Sequence, residues 1–260
     1  MQLEENKFTH AIARGEKQIG LWISLCNNYA AEVIASAGYD WVLLDMEHSP
    51  NDYFSVLGQL QAFAASETTA MVRVEWNDAV AVKRLLDLGA PGLLFPMIQS
   101  VEEAMQAVAA TRYPPKGIRG VAGSTRATKF GRITDYVSRV EQETTVLLQL
   151  ETRAAVEQAE AIAAVSGVSG IFFGPADIAA DIGKAGKPMD DEVWTLIKPA
   201  AKKLMAKGIP VGTLVMDPDF ASELLHEGFT FVACGSDTGL LANASDALLA
   251  KVRAAVLTGA

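Results

Sequence analysis

Eight short apolar runs recur along the chain: QIGLWISL (18–25), WVLLDME (41–47), AMVRVE (70–75), GLLFPMI (92–98), TVLLQLE (145–151), GIFFGP (170–175), IPVGTLV (209–215) and FTFVACG (229–235). Alanine-rich stretches with helical spacing separate most of them. Runs that are apolar at nearly every position suit parallel strands covered on both faces, not the in-out alternation of a solvated hairpin. Several intervening stretches stop at a glycine just before the next run, as in IASAGYDW, LLDLGAPG, LMAKGIPV and LLHEGFTF, which is C-cap chemistry. Regular alternation in units of roughly 30 residues predicts one α/β domain over residues 1–260, a (β/α)8 barrel, with a doubly wound open sheet as the competing arrangement. No linker, low-complexity tract or charge block divides it.

Composition narrows the function classes. Half of the 260 residues are hydrophobic, enough for a large core. A net charge of -9 leaves no basic field for nucleic acid or an anionic membrane surface. No apolar run nears the roughly 20 residues of a membrane helix, and the opening MQLEENKFTH is not a secretory signal, so a cytoplasmic location is expected. Cys26 and Cys234 stand apart with no metal-type spacing and are read as buried, reduced thiols.

The ionisable groups sit where the apolar runs end. In a barrel, reactive groups come from the carboxyl ends of strands and the loops that follow. The second run ends in Asp45, Glu47 and His48, the third holds Arg73, the fifth ends in Gln149 and Glu151, and Pro175 and Asp177 follow the sixth. Gln149 and Glu151 are two apart and so share a face with Leu147, predicted to be the barrel interior. Taken singly, Glu151 or Asp177 could be an ordinary first-turn helix acid. Taken together, two carboxylates converge beside Gln149 with no lysine or arginine on their strands, an arrangement that calls for a cation; an oxygen-only donor set suits Mg²⁺ or Mn²⁺. Of three histidines, His10 lies in the N-terminal segment and His226 near a helix C-terminus, leaving His48 for proton chemistry. None of the eight runs contains a lysine, which argues against Schiff-base chemistry.

The segments DWVLLDMEHSPND, TRYPPKGIRGV, LLQLET and FFGPADIA, in that order, resemble the HpcH/HpaI aldolases over nearly the whole chain. These metal-dependent class II pyruvate aldolases include enzymes for 4-hydroxy-2-oxoheptanedioate and for 2-keto-3-deoxy sugar acids. The resemblance implies that Glu151 and Asp177 hold one divalent ion per subunit (Mg²⁺, Mn²⁺ or Co²⁺), with no organic cofactor. It further implies that Arg73 stabilises the transition state, that His48 accepts the proton, with Asp45 in the catalytic set, and that Gln149 and the backbone of Gly174, Pro175, Ala176 and Asp177 bind substrate. Asp87 matches an aspartate that raises the basicity of the histidine; lying before the fourth run, it would have to reach a neighbouring subunit's site, and a solvated or Arg84-paired acid is the other reading. A (β/α)8 barrel assembled as a hexamer, a trimer of dimers with the last helix exchanged between subunits, is implied as well.

The implied activity is reversible cleavage of 4-hydroxy-2-oxo acids to pyruvate or hydroxypyruvate and an aldehyde, through a metal-stabilised enolate. A citrate-lyase-like enzyme acting on CoA thioesters and a non-catalytic 2-oxo acid binding protein are the alternatives. GIRGVAG fits neither the dinucleotide fingerprint nor a phosphate-binding loop. Arg119, Arg126 and Lys129 in the same region are read first as solvated loop charges and second as contacts to an anionic substrate tail. RVEWND and DIGKAGKP depart from the family pattern and leave the aldehyde pocket open.

Overall fold

Each of the eight apolar runs contains a strand. In the computed structural model, which describes residues 1–258, β1 is Gln18–Ile23, β2 Trp41–Asp45, β3 Thr69–Arg73, β4 Gly92–Phe95, β5 Thr145–Leu150, β6 Gly170–Phe173, β7 Val211–Leu214 and β8 Phe231–Ser236. Neighbours in sequence pair in parallel, and β8 pairs back onto β1, closing the barrel and excluding the open sheet.

The period of two along each strand separates two cores. Leu21, Ile23, Val42, Leu44, Val72, Val146, Leu148 and Ile171 point outward under the helices. Trp22, Trp41, Leu43, Met71, Leu94, Leu147, Phe172 and Phe231 fill the interior. Helix α1 (Lys7–Ala13) closes the bottom with Phe8, whose ring lies 5.4 Å from Trp41 and 5.6 Å from Phe231. Gly212 makes room for this plug, since a Cβ there would stand 2.1 Å from the Phe231 ring.

The helices are α2 Asn28–Ala35, α3 Tyr53–Phe63, α4 Ala79–Asp87, α5 Val101–Thr111, α6 Tyr136–Glu143, α7 Arg153–Glu157, α8 Ala159–Ala163, α9 Pro175–Asp181, α10 Asp191–Ala206, α11 Pro218–Glu227 and α12 Asp237–Thr258. Many begin on a capping side chain just past the strand end: Asp52 accepts from Ser55 N, Asp78 from Val80 N and Ala81 N, and Asp217 from Asp219 N. At the far end, Gly228 caps α11 at φ 113°, as its place before β8 predicts.

The simple strand-helix repeat does not hold everywhere. Residues 112–135 run from α5 to α6 without a strand or α-helix, and two five-residue helices, α7 and α8, stand between β5 and β6. The two cysteines are free but half-buried rather than buried. Helix α12 touches β1 and β8, yet Leu240, Leu241, Leu248, Val252 and Val256 along it are exposed. Among the described residues, no helix is long and apolar enough to cross a membrane.

Candidate active site

The in-out alternation that fills the barrel with Trp41 and Leu43 carries Asp45 to the same interior side, and Met71 likewise leads to Arg73. Asp45 and Arg73 are direct register partners on β2 and β3. Arg73 Nε donates to Asp45 Oδ1 and Nη2 to Oδ2, both at 2.8 Å, a bidentate fork in a site where neither residue is more than 6% exposed. Trp22 Nε1 donates to Asp45 Oδ2 at 3.2 Å, and the guanidinium carbon lies 4.8 Å from the centre of the Trp22 ring. Burial pushes the Asp45 carboxyl up, but the Arg73 fork outweighs it and holds the group below its ordinary value. Arg73 Nη1 lies 2.7 Å from Glu47 Oε2, out of line for a hydrogen bond, so this contact is between charges alone.

On the other side of the mouth, Glu151 is 1% exposed. Its Oε1 accepts from Gln149 Nε2 at 2.6 Å, and its Oε2 from Met97 N at 2.7 Å. Met97 adopts φ 52°, unusual for a non-glycine residue, and in that conformation its N–H meets the carboxylate. Gly174 lets the carboxylate lie flat, since a Cβ there would stand 2.8 Å from both Cγ and Oε1 of Glu151. Asp177, in the first turn of α9, lines the same cavity as Glu151. Burial first, then the charges of Glu47 and Asp177, push the Glu151 carboxyl up to about 8. Burial likewise raises Glu47.

A cavity of about 520 Å³ opens here. His48, Arg73, Gln149, Glu151 and the Gly174–Asp177 segment line one part, and Pro188, Met189, Leu214, Val215, Met216 and Asp217 another. His48 is 66% exposed, with Nε2 3.8 Å from Glu47 Oε1. No lysine lines the cavity. Among the described residues, no group of three or more His, Cys, Asp or Glu side chains forms a ready metal cage. The donor set is the pair Glu151 and Asp177, which fits an ion of the Mg²⁺ type that keeps several sites for water or substrate oxygens. The fit rests on Glu151 itself: a buried carboxyl crowded by two others, with the nearby guanidinium already taken by Asp45 and Glu47.

Most of the expected residues meet at this mouth, whereas Asp45, Asp87, Arg119, Arg126 and Lys129 do not line the cavity. Asp45 does not line the cavity, because both its oxygens are turned into the Arg73 fork, which fixes the guanidinium. Gln149 lines the cavity and donates one amide N–H to Glu151, while its Oε1 is buried without a partner, so it orients the carboxylate and keeps its second N–H. Asp87 ends α4, away from the mouth, as its place before the fourth run implies. Its side chain is 21% exposed and pairs with Arg119, not Arg84: Arg119 Nη2 donates to it at 2.9 Å, while Arg84 stacks 3.6 Å from the centre of the Tyr53 ring. Arg119 is 1% exposed against Tyr113, so it is no solvated loop charge. Nor does it line the cavity with Arg126 or Lys129; Arg126 binds the carbonyl of Leu88, and Lys129 lies 3.4 Å from Glu4. Glu47 and Met97 gain weight only in three dimensions.

A family model described as HpcH/HpaI aldolase/citrate lyase matches residues 18–244. The chain belongs to that family. A pyruvate aldolase of Rhizobium etli is 49% identical over 251 residues, covering 96% of this chain and 99% of that one. A 4-hydroxy-2-oxo-heptane-1,7-dioate aldolase of Salmonella dublin is 47% identical over 248 residues, 95% of this chain and 94% of the relative. The crystal structure of an HpcH/HpaI aldolase/citrate lyase family protein from Burkholderia cenocepacia superposes with a TM-score of 0.92 at 37% identity, covering 95% of this chain and 99% of that chain. The matched span takes in the rim residues from Asp45 to Asp177.

Proposed function

We propose that this chain is a class II, divalent-metal-dependent aldolase of the cytoplasm that cleaves 4-hydroxy-2-oxo acids to pyruvate or hydroxypyruvate and an aldehyde, and runs the reverse condensation. The observation that carries this reading is the lysine-free cavity in which buried Glu151 meets Asp177, with Arg73 and His48 on the same wall. A Schiff-base aldolase needs a lysine there. The CoA-thioester alternative needs cations for the nucleotide phosphates, and among the described residues Arg73 is the only lysine or arginine in the lining.

Glu151 and Asp177 would hold the cation, which when bound polarises the keto oxygen of a chelating 2-oxo acid. The backbone amides of Ala176 and Asp177 lie in the first turn of α9, where helical acceptors are lacking, and would receive the substrate carboxylate. Arg73 keeps Nη1 free of hydrogen bonds while Asp45 fixes its fork, so it would present that group to the developing enolate oxygen. His48 would take the proton of the 4-hydroxyl as the C4 carbonyl forms; the electrons of the broken C3–C4 bond become the enolate, which is then protonated at C3.

Chelation with EDTA tests the reading. Turnover should vanish and return with Mn²⁺, Co²⁺ or Mg²⁺; activity that survives chelation and is trapped by borohydride would overturn it. The same proposal includes assembly of copies as a hexamer, a trimer of dimers, with the exposed apolar residues of α12 packed on a neighbour. There Asp87, steadied by Arg119, would reach the partner subunit's His48. Light scattering that returned a monomer mass would remove that part.

A further inference from the structure

Resting on the aldolase reading, we infer that the aldehyde handled by this enzyme is uncharged and largely apolar, with no second carboxylate. Pyruvate occupies only part of a 520 Å³ cavity, and the rest must receive the aldehyde. The polar groups gather on one side, at Arg73, Gln149, Glu151 and Asp177. The other side is Pro188 and Met189, from the connection between α9 and α10, with Leu214, Val215 and Met216 at the end of β7.

Nothing in that second wall can neutralise an anion. Arg73, on the polar side, is bound by Asp45 and turns its remaining Nη1 to the enolate, and among the described residues no lysine lines the cavity. His48 serves the 4-hydroxyl end of the aldehyde, not its tail. The wall ends in a carboxylate, Asp217, fixed by accepting from Asp219 N at 2.9 Å and Phe220 N at 3.4 Å. A terminal carboxylate on the aldehyde would lose water beside methionine, leucine and valine in a cavity that already holds Glu151, Asp177 and Asp217. An apolar or hydroxylated chain meets no such cost. Met189 and Met216, 46% and 63% exposed, flank the wall with flexible thioethers that can fit chains of different shape.

A heptane-1,7-dioate, as in the name of the Salmonella dublin relative, has a second carboxylate, and cleavage between C3 and C4 leaves it on a semialdehyde. On this inference, that semialdehyde is excluded as the acceptor of this chain.

The experiment uses the full chain loaded with Mn²⁺, pyruvate as donor, and two acceptors of matched length: succinic semialdehyde and its methyl ester. The ester should be favoured in kcat/KM by about 10-fold or more. Equal use, or preference for the semialdehyde, would overturn the inference and mean that a cation reaches the cavity from outside this chain. Met216→Lys should move the ratio about 10-fold toward the semialdehyde, read within one variant so that any loss of folded protein cancels. An unmoved ratio would refute the wall as the aldehyde subsite. Exchange of the C3 hydrogens of pyruvate with deuterium, measured without aldehyde, separates the two levels. Its absence sinks the aldolase reading and this inference with it, whereas exchange combined with preference for the charged acceptor sinks this inference alone.

Discussion

Glu151→Gln should make the metal-free protein more stable while abolishing its response to metal. With its carboxyl raised to about 8, folded Glu151 keeps a proton that the unfolded chain, near its ordinary 4.5, has released. The folded state therefore binds more protons across that window, and stability falls as pH rises from the lower value toward the upper. At 1.36 kcal/mol per unit, the cost of order 3 kcal/mol at pH 7 approaches about 5 above pH 8. The glutamine removes this cost but accepts only one of the two hydrogen bonds now made by Gln149 Nε2 and Met97 N, which returns about 1 to 2 kcal/mol. The net gain should be about 2 kcal/mol at pH 7 and larger at pH 8.5, and should reverse to a loss of up to about 1 kcal/mol at pH 5. Urea unfolding in EDTA across this range measures it. Added Mn²⁺ should stabilise the native protein and leave the variant unmoved. A variant that is no more stable than the native protein at pH 8.5, or whose advantage ignores pH, would refute the account of Glu151 as a crowded, uncompensated carboxyl.

Arg73→Lys and His48→Ala should separate enolate stabilisation from proton transfer. The lysine variant is the cleaner probe, because removing the arginine charge altogether strands buried Asp45 at a cost of about 3 to 5 kcal/mol. It should slow both cleavage and C3 exchange about 10²-fold, whereas His48→Ala should lose about 10² to 10⁴-fold in cleavage and distinctly less in exchange; wild-type exchange in the Arg73 variant would assign that residue to substrate anchoring instead. Gly174→Ala tests the close approach to Glu151: its φ of -97° suits alanine, so the fold should persist while the new methyl displaces the carboxylate and weakens metal binding about 10-fold by calorimetry. Native affinity in that variant would show that the approach is not needed.

What could be read from the sequence follows the range of the forces involved. The strands were legible because a parallel sheet covered on both faces needs continuous apolar runs. Gln149 and Glu151 were legible because the period of two acts over adjacent residues: Leu147 in the plug fixes the side on which both must stand. Glycine before a strand, as at Gly228, is equally local. Partnerships across the barrel were not legible. Asp45 and Arg73 each read as a rim group with its own task, and only the register of β2 on β3 makes them one unit, in which the carboxylate aims the guanidinium. Arg119 reads as a loop cation until the irregular segment after α5 folds it against Tyr113 and Asp87.

The same division explains why the aldehyde side of the cavity was left open by the sequence while the donor side was not. Enolate chemistry needs charged groups at strand ends, and such groups stand out against apolar runs. A wall that excludes an anion is made of what it lacks, and Met189, Leu214, Val215 and Met216 look like any other apolar residues until their position around Asp217 is known. Their meaning comes from the cation that is missing among them. Specificity of this kind is a difference between two binding energies, set here by the desolvation of a carboxylate with no partner, and it can change with one lysine while the chemistry at Arg73, His48 and Glu151 stays as it is.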